Sequence, residues 1–293
     1  MPRDLGTILT AMVTPFDDDL AVDHARLAEL ASWLLDGGSD GLVVAGTTGE
    51  SPTLADDEKL AMFRTVVEAV GDRAPVVAGT GSNDTAHSVE LTKKAERCGV
   101  DAVLVVTPYY NKPPERGLIA HFRAVAAATS LPVIVYNIPG RCVVNLSPEA
   151  LAELATVENI VAVKQADPEV EHTRRLRELC DLEVYAGNDD MLLEVLELGG
   201  AGGVCVASHL VGRQFADMAR LVRAGEHEKA RVLDDSLREL YRVLFITASP
   251  IPVKTALNLI GQQVGGLRLP LVSATEKETA VVAAELRRLG LLS

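Results

Sequence analysis

Cys98-Gly99-Val100-Asp101-Ala102-Val103-Leu104-Val105 decides the fold. A helical stretch stops at a glycine, the chain turns tightly, and an apolar run begins. The same passage occurs at Gly37-Gly38-Ser39-Asp40-Gly41-Leu42-Val43-Val44 and at Gly199-Gly200-Ala201-Gly202-Gly203-Val204. A glycine that closes a helix and leads into a strand is the αβ half of a repeating βα unit. Working outward, eight apolar runs read as strands, at 7–13, 41–45, 75–78, 102–106, 132–136, 160–164, 183–186 and 203–206. Helical patterns lie between them, clearest at 24–35, 56–70, 85–98 and 117–128. Eight such strands in a chain of 293 residues fit a (β/α)8 TIM barrel, an α/β fold. A doubly wound sheet is the competitor, but no GxGxxG follows the first strand. After residue 224 the strand pattern stops and helical stretches follow at 226–246, 252–260 and 275–291. The expectation is therefore a catalytic barrel over residues 1–224 and a C-terminal helical extension over 225–293. Ser147-Pro148-Glu149 reads as a helix start, and Ser273-Ala274-Thr275-Glu276 as a capping box.

Hydrophobic residues make up 48% of the chain, enough for a large core. The net charge of -13 argues against nucleic acid, which needs a basic surface, and against anionic membranes. Cys98, Cys142, Cys180 and Cys205 form no CxxC, so they read as free thiols of a reducing compartment. No signal peptide and no bilayer-length apolar run is present, so a cytoplasmic protein is expected. The six histidines include no HExxH, and no metal site is expected.

In such a barrel the chemistry belongs at the C-terminal ends of the strands. The sixth strand, Ile160-Val161-Ala162-Val163-Lys164, ends on a cation. Alternation places Ile160, Ala162 and Lys164 on one face. A low-dielectric barrel rim disfavours a charged amine, and the neutral form attacks carbonyl carbon. After the second strand comes Gly46-Thr47-Thr48-Gly49-Glu50, either a carboxylate nest or a plain glycine turn. Tyr136 is either a proton relay beside Lys164 or an aromatic plug of the barrel mouth. Arg141 is either a bidentate clamp on a carboxylate or a surface salt bridge. Tyr110, in the proline-bounded Tyr109-Tyr110-Asn111-Lys112-Pro113, could reach a partner subunit.

These motifs resemble the pyruvate-dependent class I aldolase superfamily and, within it, the dihydrodipicolinate synthase family. The resemblance runs from Leu9-Thr10-Ala11-Met12-Val13-Thr14-Pro15-Phe16 to Leu267-Arg268-Leu269-Pro270. It implies that Lys164 forms a Schiff base with pyruvate. It implies a proton-relay triad of Tyr136, Thr47 and Tyr110 from a neighbouring subunit. Thr48 would hold the pyruvate carboxylate, Arg141 the carboxylate of L-aspartate 4-semialdehyde, and Gly187 and Val204 would line the pocket. No metal or organic cofactor is implied. The partners implied are pyruvate, a small carboxylate-bearing aldehyde and three further copies of the chain, as a homotetramer built from two dimers.

Gln165, Cys142 and Asn188 depart from the family's usual residues, which leaves open a related aldolase acting on another 2-keto acid, such as a keto-deoxy sugar acid. A phosphate- or flavin-binding barrel is disfavoured, because the glycines at 199–203 precede their strand. A catalytically silent keto-acid sensor would also fit. Lys254 reads as structural. Asp56, Lys59 and His87 stand where lysine-inhibited relatives carry two histidines and a glutamate, so weak or absent lysine inhibition is expected.

Overall fold

The computed structural model describes residues 4–292. The chain runs β1 (Ile8–Ala11), α1 (His24–Asp36), β2 (Gly41–Val44), α2 (Asp56–Val70), β3 (Val76–Gly79), α3 (Thr85–Glu96), β4 (Ala102–Val106) and α4 (Glu115–Ala126). It continues through β5 (Val133–Asn137), α5 (Pro139–Cys142), α6 (Pro148–Leu154), β6 (Ile160–Gln165), α7 (Val170–Leu179), β7 (Glu183–Ala186), α8 (Leu192–Glu197) and β8 (Gly202–Cys205). Helices α9 (Ser208–Arg223), α10 (His227–Val243), α11 (Ile251–Leu259) and α12 (Glu276–Arg288) follow. All eight strands are parallel and close in sequence order, β1 pairing with β8. This is the TIM barrel expected from the βα repeat.

Both faces of each strand are covered, which is why the strands read as continuous apolar runs. One face fills the barrel interior with Leu9, Val43, Leu104, Ile134 and Val204. The other packs under the helices through Ile8, Val44, Val103, Val135 and Val163. A smaller cluster of Val243, Ala256, Val282 and Leu286 joins the C-terminal helices.

Ile160 corrects one reading. It belongs to the outer cluster rather than sharing the face of Ala162 and Lys164. The β5–β6 register pairs Val133 with Ile160 and then Ile134 with Ala162, skipping Val161. One unpaired residue reverses the alternation before it. The capping box of α12 is also displaced. Thr275 is the N-cap, accepting from the amide of Glu278, whose carboxylate accepts from the Thr275 amide at 2.7 Å. Both overlapping tetrads fit the pattern, and the one beside the helix's first turn won. Ser147 caps α6 as expected, accepting from the Ala150 amide.

Candidate active site

The barrel mouth is built on a cross-strand pair. Tyr136 of β5 stands opposite Lys164 of β6. Both point inward and are buried, Lys164 at 5% exposure. The Lys164 ammonium nitrogen lies 4.2 Å from the centroid of the Tyr136 ring. An amine in this position is shielded from water yet lies against a ring that lines the open cleft.

The turn after β2 carries Thr47 and Thr48. Thr48 is buried and Thr47 half-buried at the cleft wall. The Glu50 amide donates to the Thr47 carbonyl at 3.1 Å, and the Ser51 amide to the Gly46 carbonyl. Thr14 Oγ1 donates to the Gly49 carbonyl at 2.6 Å. Ala45 and Glu50, at the turn's two ends, have φ of 54° and 58°.

A cleft of about 610 Å³ opens at this mouth. Gly46, Thr47, Tyr136, Ile138, Arg141 and Cys142 line it, and so do Asp56, Lys59, Asn83, His87 and Tyr109. Arg141 is on the single turn α5 and makes no ion pair among the described residues, which removes the surface-salt-bridge reading. Tyr110 is 89% exposed, with φ of 72°, and does not line its own subunit's cleft. Val204 is fully buried in the barrel interior. Gly187 closes β7 against the end of β6, where an added Cβ would stand 2.6 Å from the Ala166 Cβ. Only glycine permits that approach.

A buried carboxylate that the sequence reading assigned no role stands just after β7. Asp189 accepts from the amides of Val206 and Ala207 at 2.8 and 3.0 Å. Burial pushes its carboxyl up to about 6, against those amides and the nearby Lys164 charge. Its signal in the sequence was an aspartate at a strand end.

A sequence model of the Dihydrodipicolinate synthetase family matches residues 4–289. The chain belongs to this family. A 4-hydroxy-tetrahydrodipicolinate synthase of Heliobacterium modesticaldum is 50% identical over 290 residues, 98% of this chain and 97% of that one. The crystal structure of a dihydrodipicolinate synthase of Bacillus anthracis is 46% identical, covers 97% of this chain and 98% of that one, and superposes with a TM-score of 0.95. One from Cyanidioschyzon merolae, solved with lysine bound, is 42% identical with a TM-score of 0.96 and covers 98% of this chain and 99% of that one.

Against the family's usual residues, the departures fall in different places. Gln165 points away from the barrel interior, opposite to Lys164, and accepts from the Asn137 side-chain amide at 2.9 Å. It therefore acts on the β5 end rather than on a bound substrate. Asn188 is half-buried, its amide directed at the Met191 sulfur. Cys142 alone of the three lines the cleft, and burial pushes its thiol up. Among the described residues all four cysteines are free, no cluster of His, Cys, Asp or Glu is placed to hold a metal ion, and no helix is long and apolar enough to cross a membrane.

Proposed function

We propose that the family's condensation of pyruvate with L-aspartate 4-semialdehyde runs in this barrel through an imine on Lys164. The activity is that of a 4-hydroxy-tetrahydrodipicolinate synthase, a carbon–carbon lyase of lysine biosynthesis, as full-length relatives at about half identity indicate. The observation that carries the residue assignment is the buried Lys164 amine against the Tyr136 ring at the cleft.

Lys164 attacks pyruvate C2, and the oxygen leaves as water. The protonated imine is the electron sink, so loss of a C3 proton gives an enamine without a cofactor. C3 then bonds to the aldehyde carbon of the second substrate, whose oxygen takes up a proton. The substrate's amine displaces Lys164 at C2 and closes the ring. Tyr136 and Thr47 stand beside the amine and the cleft, suited to passing these protons. Thr48, in the turn, is assigned to the pyruvate carboxylate. Arg141 offers a planar fork to the carboxylate of the semialdehyde. Neither Gly187 nor Val204 lines the cleft itself, and both are assigned to the packing behind its walls.

Tyr110 completes the relay from a neighbouring subunit, in a homotetramer of two dimers. Its exposure, on a loop bounded by Pro108 and Pro113, supports this. Variants that dissociate to monomers should lose turnover, and a fully active monomer would refute the shared site. Residues 225–293 act as an extension seated on the barrel.

Pyruvate followed by borohydride should add one covalent group, located on Lys164 by peptide mass. Labelling elsewhere, or none, would sink the mechanism.

A further inference from the structure

Lys254 of α11 is 1% exposed, one of the largest wholly buried side chains. Its ammonium donates to Glu50 Oε1 at 2.9 Å, to the Thr14 carbonyl at 2.9 Å and to the Gly266 carbonyl. One cation thus ties together the segment after β1, the turn after β2 and the chain between α11 and α12. Glu50 is equally buried, and its Oε2 accepts from the Arg268 amide at 3.1 Å. The Lys254 ammonium and the Arg268 guanidinium lie 4.3 and 4.6 Å from the centroid of the Phe16 ring.

We infer that Lys254 is a positioning residue for the pyruvate-binding turn, acting through Glu50 to hold Thr47 and Thr48 in place. The inference rests on the roles proposed above for those threonines. Stability alone does not account for this pair. Two charges taken wholly out of water are costly, and apolar residues of similar volume commonly serve the fold as well or better. Burial indeed lowers the Lys254 pKa against the attraction of Glu50. What the pair supplies is location. The turn begins and ends on non-glycine residues in the left-handed region, Ala45 and Glu50. Such residues persist only where surrounding contacts over-determine them. At the Glu50 end the backbone bonds go to Thr47 and Thr53, and the side chain is held by Lys254 and the Arg268 amide, both from the C-terminal region. Without them the turn can relax, and the hydroxyls of Thr47 and Thr48 shift with it.

The double variant Lys254→Met/Glu50→Gln keeps both volumes and leaves no buried net charge. Misplacing a binding group by about 1 Å costs up to roughly a hundredfold. The expected result is a pyruvate KM raised about tenfold or more, with borohydride trapping shifted to matching pyruvate concentrations. The KM for the aldehyde should stay unchanged. Glu50→Asp keeps the charge pair and shortens the anchor by one methylene. It should raise the pyruvate KM while the thermal midpoint stays near that of the unaltered protein, and it decides the matter if the double variant does not fold. Wild-type pyruvate dependence in the variant that folds would overturn the inference. Trapping on Lys164 of the unaltered protein is the control, and its failure overturns the catalytic reading together with this one.

Discussion

Arg141 shows how a side chain's lack of partners directs its assignment. It sits on one helical turn, lines the cleft and makes no ion pair among the described residues. A guanidinium left free in the cleft that Tyr136 also lines suits a substrate that brings its own carboxylate. Arg141→Ala should leave imine trapping by pyruvate intact while condensation loses about 2–5 kcal/mol of transition-state binding. Equal loss of both would make the arginine structural. The buried histidines support a second residue-scale prediction. His209 is held neutral between the Val13 amide and the Val206 carbonyl, and burial lowers its pKa to about 4. Burial does the same to His121. The unfolded chain therefore takes up protons that these rings refuse. Their stabilisation is present above pH 6.5 and is lost toward pH 4, about 3 kcal/mol for each. Asp189, raised to about 6, acts in the opposite sense, its contribution lost as pH rises from 3.8 through 6. Two groups against one leave a net loss of about 2 kcal/mol between pH 7 and pH 5. Thermal midpoints at pH 7 and pH 5 should show it, and a midpoint that rises at pH 5 would refute it.

At the scale of elements, the strands were legible because parallel strands are apolar on both faces. The ends of β4 and β7 agree with the expected 102–106 and 183–186. Helix α2 agrees with 56–70, where three acidic residues open the first turn and Gly71 closes it. Helices α5 and α8 were not legible. Four and six residues are too few to show a 3.6-residue period, and their shape comes from neighbouring strands. The same limit applied within the site. Lys164, Tyr136 and Arg141 advertise themselves by residue type at strand ends. The Lys254–Glu50 pair joins positions 204 residues apart, which no local pattern reveals. Nor did the sequence show that Gln165 braces β5. Asn137 donates to Gln165 and also to Asn145 at 2.7 Å, and Asn145 donates in turn to Asp167 at 2.6 Å. The Leu146 amide donates to Asn137, so the segment carrying α5 and Arg141 is fastened at both ends. Gln165→Leu leaves the Asn137 amide short of one acceptor in a buried place. It should lower unfolding free energy by about 1–3 kcal/mol without moving the label from Lys164. Unchanged stability would show that the brace is redundant.

At the scale of the whole molecule, the barrel mouth and the outer wall share one cleft, so a ligand on that wall would stand within reach of the catalytic turn. The resemblance matches Asp56, Lys59 and His87 to two histidines and a glutamate of lysine-inhibited relatives. Here those three form their own cluster. His87 Nε2 lies 3.0 Å from the Asp56 carboxylate, and the Lys59 ammonium lies 4.0 Å from it. Of the two carboxylates lining the cleft, Asp56 is already engaged on two sides, and Asp84 caps α3 by accepting from the Ala86 amide at 2.9 Å. Lys59 is itself buried, and burial lowers its pKa against the attraction of Asp56, so it has little to gain from a second cation nearby. Adding lysine would place its ammonium beside a like charge and would need Asp56 to release a partner. Asn83 and Tyr109 remain at the cleft wall, but they offer hydrogen bonds rather than a counter-charge. Initial rates at saturating pyruvate should therefore stay flat as lysine is raised into the millimolar range. Lys59→His with His87→Glu should free the wall of its cation and restore a carboxylate, and inhibition should then emerge. A sigmoidal fall in the unaltered protein at submillimolar lysine would show that other groups receive the inhibitor.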